Sequence, residues 1–227
     1  MRITYFGHSA FQFQHGDQSL LIDPFLSGNP SATVSPETLS PQTILLTHAH
    51  NDHVGDTVAI AKRTGATIIT VFELATYLGR QGVTAIGANH GGTVAFAGGS
   101  VKFTPAWHSS SYSVDDDFVA PGIPAGLVIR FGGKTVYAAG DTCLFGDMAL
   151  IGEEGLDAAI LPIGDHFTMG PADAARASRL LRAGIVIPCH YDTFPPISQD
   201  PAQFATLVAE QCDSTVVALR PNDAHDF

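Results

Sequence analysis

The chain has 227 residues, 45% of them apolar and only 15% charged, which excludes a disordered polar chain and points to a core-rich globule. Its formal net charge is −11, from 11 basic against 22 acidic residues without a basic run, and this argues against a nucleic-acid binder. No apolar stretch approaches the ~20 residues needed to span a bilayer, and the opening residues lack a secretion signal's apolar core, so a cytoplasmic location is expected.

In chain order, "MRITYF", "FQFQ" and "SLLID" read as strands separated by turns. "PQTILLTHAH" reads as a buried strand that ends in a loop. "DTVAIAKRTG" is a predicted helix closed by Gly65, "ATIITV" an apolar strand, and "ELATYLGRQG" a second helix stopped at Gly82. "GGTVAFAGGSVKFTPAWHSS" reads as a hairpin ending near His108, and "GLVIRFGGKTVYAAGDT" as another with Gly132 and Gly133 at its turn and Asp141 at its end. "LDAAILPIG" is a strand, "GPADAARASRLLRAG" a helix with Pro171 in its first turn, and "IVIPCH" a strand ending at His190. "DPAQFATLVAEQC" and "STVVALRP" supply the last helix and the last strand. Residues 109–124 are the longest irregular stretch, with three consecutive aspartates; a functional loop and a variable surface loop both fit it. Arg176, Arg179 and Arg182 read as one solvated helix face. Cys143, Cys189 and Cys212 lack C-x-x-C spacing, and are read as small buried residues in a reducing compartment.

The chemistry is concentrated in residues 44–53, "ILLTHAHNDH". Imidazole and carboxylate are good ligands for zinc, manganese and iron. His48 and His50 are two apart, so in an extended segment both face one side. A turn after Asn51 would aim Asp52 and His53 at a second position, and metal pairs about 3.5–4 Å apart are a familiar hydrolytic arrangement. His108, Asp141 and His190 each follow an apolar strand. Together these are seven ligand candidates, enough for two divalent ions.

"THAHNDH", His108, "GDT" with Asp141, and His190 resemble, in this order and over nearly the whole chain, the metallo-β-lactamase superfamily. "GHSAF", the "HSS" after Trp107, "AAGDTCLFGDM" and "PIGDHFTMGPADA" further resemble a subgroup of small bacterial metal-dependent hydrolases, related to ascorbate-6-phosphate lactonases and N-acyl-phosphatidylethanolamine phospholipases. The resemblance implies a mixed α/β (α+β) fold: one domain over residues 1–227, a four-layer αββα sandwich of two similar halves with its site at one edge of the sheets. It implies that His48, His50 and His108 bind a first metal, that Asp52, His53 and His190 bind a second, and that Asp141 bridges them. The chain departs from lactamases that use a cysteine ligand, and from flavodiiron oxygen reductases, which carry Glu where His50 stands; the latter argues against redox chemistry.

The expected function is hydrolysis of a small ester, lactone, amide or phosphodiester by a hydroxide bridging two divalent ions, zinc first, with manganese or iron as alternatives. Asp52 would orient the nucleophile and take its proton. His8 and His166, in strand-end loops, are further catalytic candidates beside a purely structural role. Asp23 either supports a ligand histidine or shapes a turn, while His15, His90 and His225 carry no expected role. A nuclease and a non-catalytic ligand-sensing domain are the alternative readings. The expected partner is a small molecule, with no nucleic acid and no membrane span; a homo-oligomer is open.

Overall fold

A computed structural model describes residues 1–115 and 117–227. The N-terminal half comprises β1 (Arg2–Gly7), β2 (Ala10–His15), β3 (Gln18–Ile22), β4 (Thr43–Leu45), α1 (Asn51–Val54), α2 (Thr57–Thr64), β5 (Thr67–Val71), α3 (Phe72–Gly79) and β6 (Ala85–Ala88). The rest comprises β7 (Thr93–Phe96), β8 (Gly99–Pro105), β9 (Tyr112–Val114), β10 (Asp117–Val119), β11 (Ala125–Phe131), β12 (Lys134–Ala138), α4 (Met148–Gly152), β13 (Ala158–Pro162), α5 (Pro171–Leu181), β14 (Ile185–Cys189), α6 (Pro201–Ala209), β15 (Thr215–Val216) and β16 (Ala224–Asp226).

The strands form two seven-stranded sheets, ordered β16-β1-β2-β3-β4-β5-β6 and β15-β14-β13-β12-β11-β8-β7. Each sheet is built to one plan. In the first, three antiparallel pairs from β16 to β3 give way to three parallel pairs from β3 to β6. In the second, three antiparallel pairs from β7 to β12 give way to three parallel pairs from β12 to β15. The two halves are therefore similar in topology as well as in order.

Local sequence explains the layers. In β2, Phe11 and Phe13 alternate with the less buried Gln12, as a one-sided strand requires. β4 and β13, in the parallel part, are buried at every residue, and their apolar runs need cover on both faces. Between the sheets Ile3, Phe13 and Ile44 meet Phe103, Leu127 and Ile129. Outside the second sheet Tyr137, Ala159 and Leu161 meet Met148, Leu181 and Phe204 of the helices. α2 and α3 cover the outer face of the first sheet beside β5 and β6. The result is an αββα sandwich in which each buried large side chain contributes about 1.5–3 kcal/mol. Among the described residues no helix is long and apolar enough to cross a membrane.

Several expectations need correction. The stretch 109–124 is not wholly irregular: β9 and β10 pair there as a separate two-stranded hairpin. Strands of three residues carry too little periodicity to be read from sequence, and the central Asp116 lies outside the described residues. "STVVALRP" contributes only the two residues of β15. His225 lies in β16, a strand not expected from the sequence, opposite Ile3, and closes the edge of the first sheet. The short α1, α4 and β6 were not foreseen. Cys143 is exposed, because it follows Asp141 into a loop beyond β12; Cys189 is buried and Cys212 intermediate. Arg176, Arg179 and Arg182 are exposed, and Arg176 pairs with Asp173 at 3.0 Å.

One close approach in the second sheet is testable. A Cβ on Gly126 would lie 2.7 Å from Thr104 Oγ1 and 2.8 Å from Tyr137 Oη, both buried on neighbouring strands. Gly126→Ala is expected to cost about 1–3 kcal/mol by overpacking, read from urea unfolding. A change below about 0.5 kcal/mol would show that the Tyr137 ring can move aside.

Candidate metal centre

The strand β4 ends at Leu45, and Leu46-Thr47-His48 follow as the chain leaves the sheet. His50 precedes α1, a single helical turn that places Asp52 and His53 one residue apart from the extended His48–His50 segment. That turn ends at Gly55, with φ 42°, where a Cβ would lie 2.5 Å from Phe25 Cα and from Pro24 O. Only glycine fits so close to the neighbouring backbone. The next residue locks the same contact: Asp56 Oδ2 accepts from Leu26 N at 3.0 Å and Ser27 N at 2.7 Å. The turn that separates the two ligand sets is thus fastened to the loop after β3.

The seven expected ligands come together with His8. One ligand atom from each of His48, His50, His108 and Asp141 lies within 4.8 Å of the others, and the same holds for His8, Asp52, His53 and His190. Asp141, 2% exposed, stands between the two groups. Its Oδ2 is 3.1 Å from His190 Nε2, 3.5 Å from His108 Nε2 and 4.0 Å from His48 Nε2. Its Oδ1 is 3.4 Å from His53 Nε2. His48 Nε2 and His50 Nδ1 are 2.9 Å apart, so both nitrogens converge.

A supporting set of hydrogen bonds fixes which imidazole nitrogen faces inward. Asp23 follows β3 in a left-handed conformation, φ 42°. Its Oδ1 accepts from Thr47 N at 2.9 Å and its Oδ2 from Thr47 Oγ1 at 2.6 Å. The same Oδ2 accepts from His53 Nδ1 at 2.8 Å, leaving the Nε2 lone pair of His53 turned toward Asp141. Because the Thr47 hydroxyl donates to Asp23, its oxygen accepts from His48 Nδ1 at 3.0 Å, and His48 Nε2 is free in the same way. Asp23 therefore hydrogen-bonds one of the candidate ligand histidines, the contact that the first of its two expected roles requires. Thr47 was missed by the sequence reading, although its place between a strand and a histidine is a usable signal.

The electrostatics suit neutral imidazoles around ionised carboxylates. Burial, then the charge of His53, pushes His48 and His50 below the ordinary histidine range. Burial also pushes His108 down, outweighing Asp141. Burial would raise the Asp141 carboxyl, but His190 and His53 hold it well below its usual range. His53 goes the other way: burial lowers it, yet the Asp141 and Asp23 carboxylates carry it well above. Burial raises Asp52, and the hydrogen bond from His8 and the charge of His53 more than reverse that. His8 is pushed down to about 4, by burial first and then by His190.

Whether these residues fit metal ions can be judged from their unmet polar atoms. His53 Nε2, Asp141 Oδ1 and His190 Nδ1 are buried without a hydrogen-bond partner among the described residues. Each such atom costs about 1–3 kcal/mol. His53 Nε2 and Asp141 Oδ1 face each other at 3.4 Å, and a cation between the groups would satisfy both. The donor set fits.

The other expected residues fall as follows. His8 is wholly buried, with Nε2 3.1 Å from Asp52 Oδ2 and Nδ1 2.9 Å from Thr193 Oγ1. His166 is exposed in the loop between β13 and α5, packed on Phe167, and belongs to neither group. His90 Nε2 donates to Pro124 O at 2.9 Å and so anchors the end of the 109–124 loop. That loop borders the centre, because Ser113 N donates to Asn51 Oδ1 at 2.9 Å. Ser110 Oγ accepts from Ala49 N at 3.2 Å, a role for the "HSS" motif that sequence did not reveal.

A family model described as a β-lactamase superfamily domain matches residues 18–191. The chain belongs to the metallo-β-lactamase superfamily. Within that superfamily it is 50% identical over 211 residues to a UPF0173 metal-dependent hydrolase of Thermus thermophilus, covering 93% of this chain and 92% of the relative. A UPF0173 metal-dependent hydrolase of Methanopyrus kandleri is 48% identical over 229 residues, and each chain is covered in full. The solved structure of a metallo hydrolase of the archaeon Ignicoccus hospitalis superposes with a TM-score of 0.89 at 38% identity, covering 100% of this chain and 98% of that one.

For this superfamily member Asp23→Asn is expected to weaken metal binding about 10–100-fold, because His53 loses its fixed orientation. Competition with a chromophoric chelator measures this. Unchanged affinity would reduce Asp23 to a turn residue.

Proposed function

We propose that the protein is a metal-dependent hydrolase that holds two divalent cations and acts on a small ester, lactone, amide or phosphodiester. The observation that carries this reading is the pair of ligand groups meeting at the Asp141 carboxylate. His48, His50 and His108 would hold one cation, Asp52, His53 and His190 the other, and Asp141 both. The imidazole-rich set suits zinc, with manganese and iron as the alternatives. When bound, the cations supply Lewis acidity and a water acidified toward neutral pH.

The chain's own groups do the rest. His48 and His53, locked through Thr47 and Asp23, keep their Nε2 atoms aimed inward without reorganisation during turnover. Asp52 is the partly open carboxylate of the centre, with a side chain 33% exposed where that of Asp141 is 3% exposed. It orients the attacking water and accepts its proton. Trp107 is 65% exposed and Phe167 55% exposed. Their loops are tied to the Asp141 loop: Trp107 N donates to Thr142 Oγ1 at 2.9 Å and Met169 N to Thr142 O at 3.0 Å. This rim supports a substrate with an apolar portion beside its scissile bond. The free cysteines fit a reducing compartment, in line with a cytoplasmic enzyme.

Elemental analysis of protein purified without added metal tests the reading, with about two equivalents expected. A panel of lactone, ester, amide and phosphodiester substrates, run beside RNA, identifies the bond. Chelation is expected to abolish turnover, and Asp141→Asn to lower it by more than about 100-fold, beyond the loss typical of a supporting residue. Chelator-insensitive turnover by protein carrying no transition metal would sink the proposal, and turnover of RNA alone would replace it with a nuclease.

A further inference from the structure

We propose that His8 is a positioning residue that holds Asp52 for the second metal and ties it to the strand that carries His190. The inference rests on the reading of Asp52 as a ligand of that metal.

His8 lies in the tight connection between β1 and β2, where the pairing register shifts between Tyr5 and Gly7. It adopts φ 57°, a left-handed conformation uncommon for a residue with a side chain. Such a conformation persists only where surrounding contacts over-determine it. Here they come from every side. The His8 carbonyl accepts from His190 N at 2.7 Å and from Tyr5 Oη at 3.1 Å. The ring lies 4.0 Å, centroid to centroid, from His190, and edge-on to Phe25 and Phe194 at 5.7 Å each. It is 0% exposed, so no edge is open to a substrate.

Both ring nitrogens have protein partners. A carboxylate only accepts, so Nε2 carries the proton toward Asp52 Oδ2 at 3.1 Å. Nδ1 then accepts the hydroxyl proton of Thr193 Oγ1 at 2.9 Å, in preference to the longer 3.4 Å approach of that hydroxyl to Tyr191 O. Thr193 fixes the tautomer from outside, as Thr47 does for His48. The link joins the two halves: Asp52 belongs to α1, which follows β4 of the first sheet, and Thr193 follows β14 of the second. Holding Oδ2 leaves Oδ1, which has no hydrogen-bond partner among the described residues, as the oxygen of Asp52 available to a cation or its water. His8 falls inside the second ligand group by distance, yet its two nitrogens are already committed. It acts on the centre through Asp52.

The test titrates metal-free wild type, His8→Asn, Thr193→Val, Asp52→Asn and the His8→Asn/Asp52→Asn double variant with Zn²⁺ against a chromophoric chelator. Asn tolerates the left-handed backbone, which limits damage to the fold, and thermal melting of each metal-free protein checks it. In His8→Asn the second equivalent is expected to bind about 10–100-fold more weakly while the first is unchanged. Thr193→Val, which leaves the imidazole in place, is expected to give a smaller loss at the same equivalent. The double variant is expected to bind no more weakly than Asp52→Asn alone, because His8 acts only through that carboxylate. Additive losses in the double variant, equal weakening of both equivalents, or two wild-type affinities in His8→Asn would overturn the inference. Wild type that binds a single equivalent would instead overturn the two-metal reading on which it stands.

Discussion

The centre depends on one buried carboxylate. Asp141 is almost inaccessible to water, and an isolated charge there would be very unfavourable. It is tolerated because imidazoles from both sheets surround it: His48 and His53 follow β4 of the first sheet, His108 follows β8 and His190 follows β14 of the second. The carboxylate needs positive charge, and imidazoles such as His48 and His108, which burial pushes toward the neutral form, have lone pairs to give. A pair of divalent cations, as proposed, would answer both demands at once.

Rigidity comes from short polar residues placed where strands end. Asp23 and Thr47 fix two histidines of the first sheet, and the Asp56 carboxylate fastens the turn between the ligand sets to the loop after β3. His8 and Thr193 join the two halves in the same manner. Side chains held from behind in this way stay in one rotamer, and a site preorganised before substrate arrives loses little free energy to reorganisation. The topology serves this design. Each sheet turns from antiparallel to parallel pairing; the parallel strands β4 and β13 are buried along their length, and β14 at every residue after Ile185. Their ends are fixed platforms for the loops that carry the two His/Asp groups.

Much of this was legible in the residues. The "THAHNDH" run and the apolar strands before His108, Asp141 and His190 brought forward seven of the eight side chains that the fold gathers into two His/Asp groups. The sandwich of two like halves was implied by the resemblance those residues carry. What escaped had weak local signal: three-residue strands in 109–124, the two-residue β15, and β16, whose Ala-His-Asp sequence has no strand character. β16 forms because β1 presents an unpaired edge to it, and that is a long-range cause.

Sequence by itself determined which side chains were available, their spacing along each strand end, and the one turn that only Gly55 allows. Tertiary structure decided how they divide. That Asp141 touches both groups, that Asp23 backs His53, and that His8 reaches Asp52 and Thr193 rather than a substrate all follow from contacts between residues 30 to 185 positions apart in the pairs concerned. Spacing along a chain carries the period of a strand or helix, but the meeting of two sheets is set by how their buried faces pack, and no local pattern encodes it.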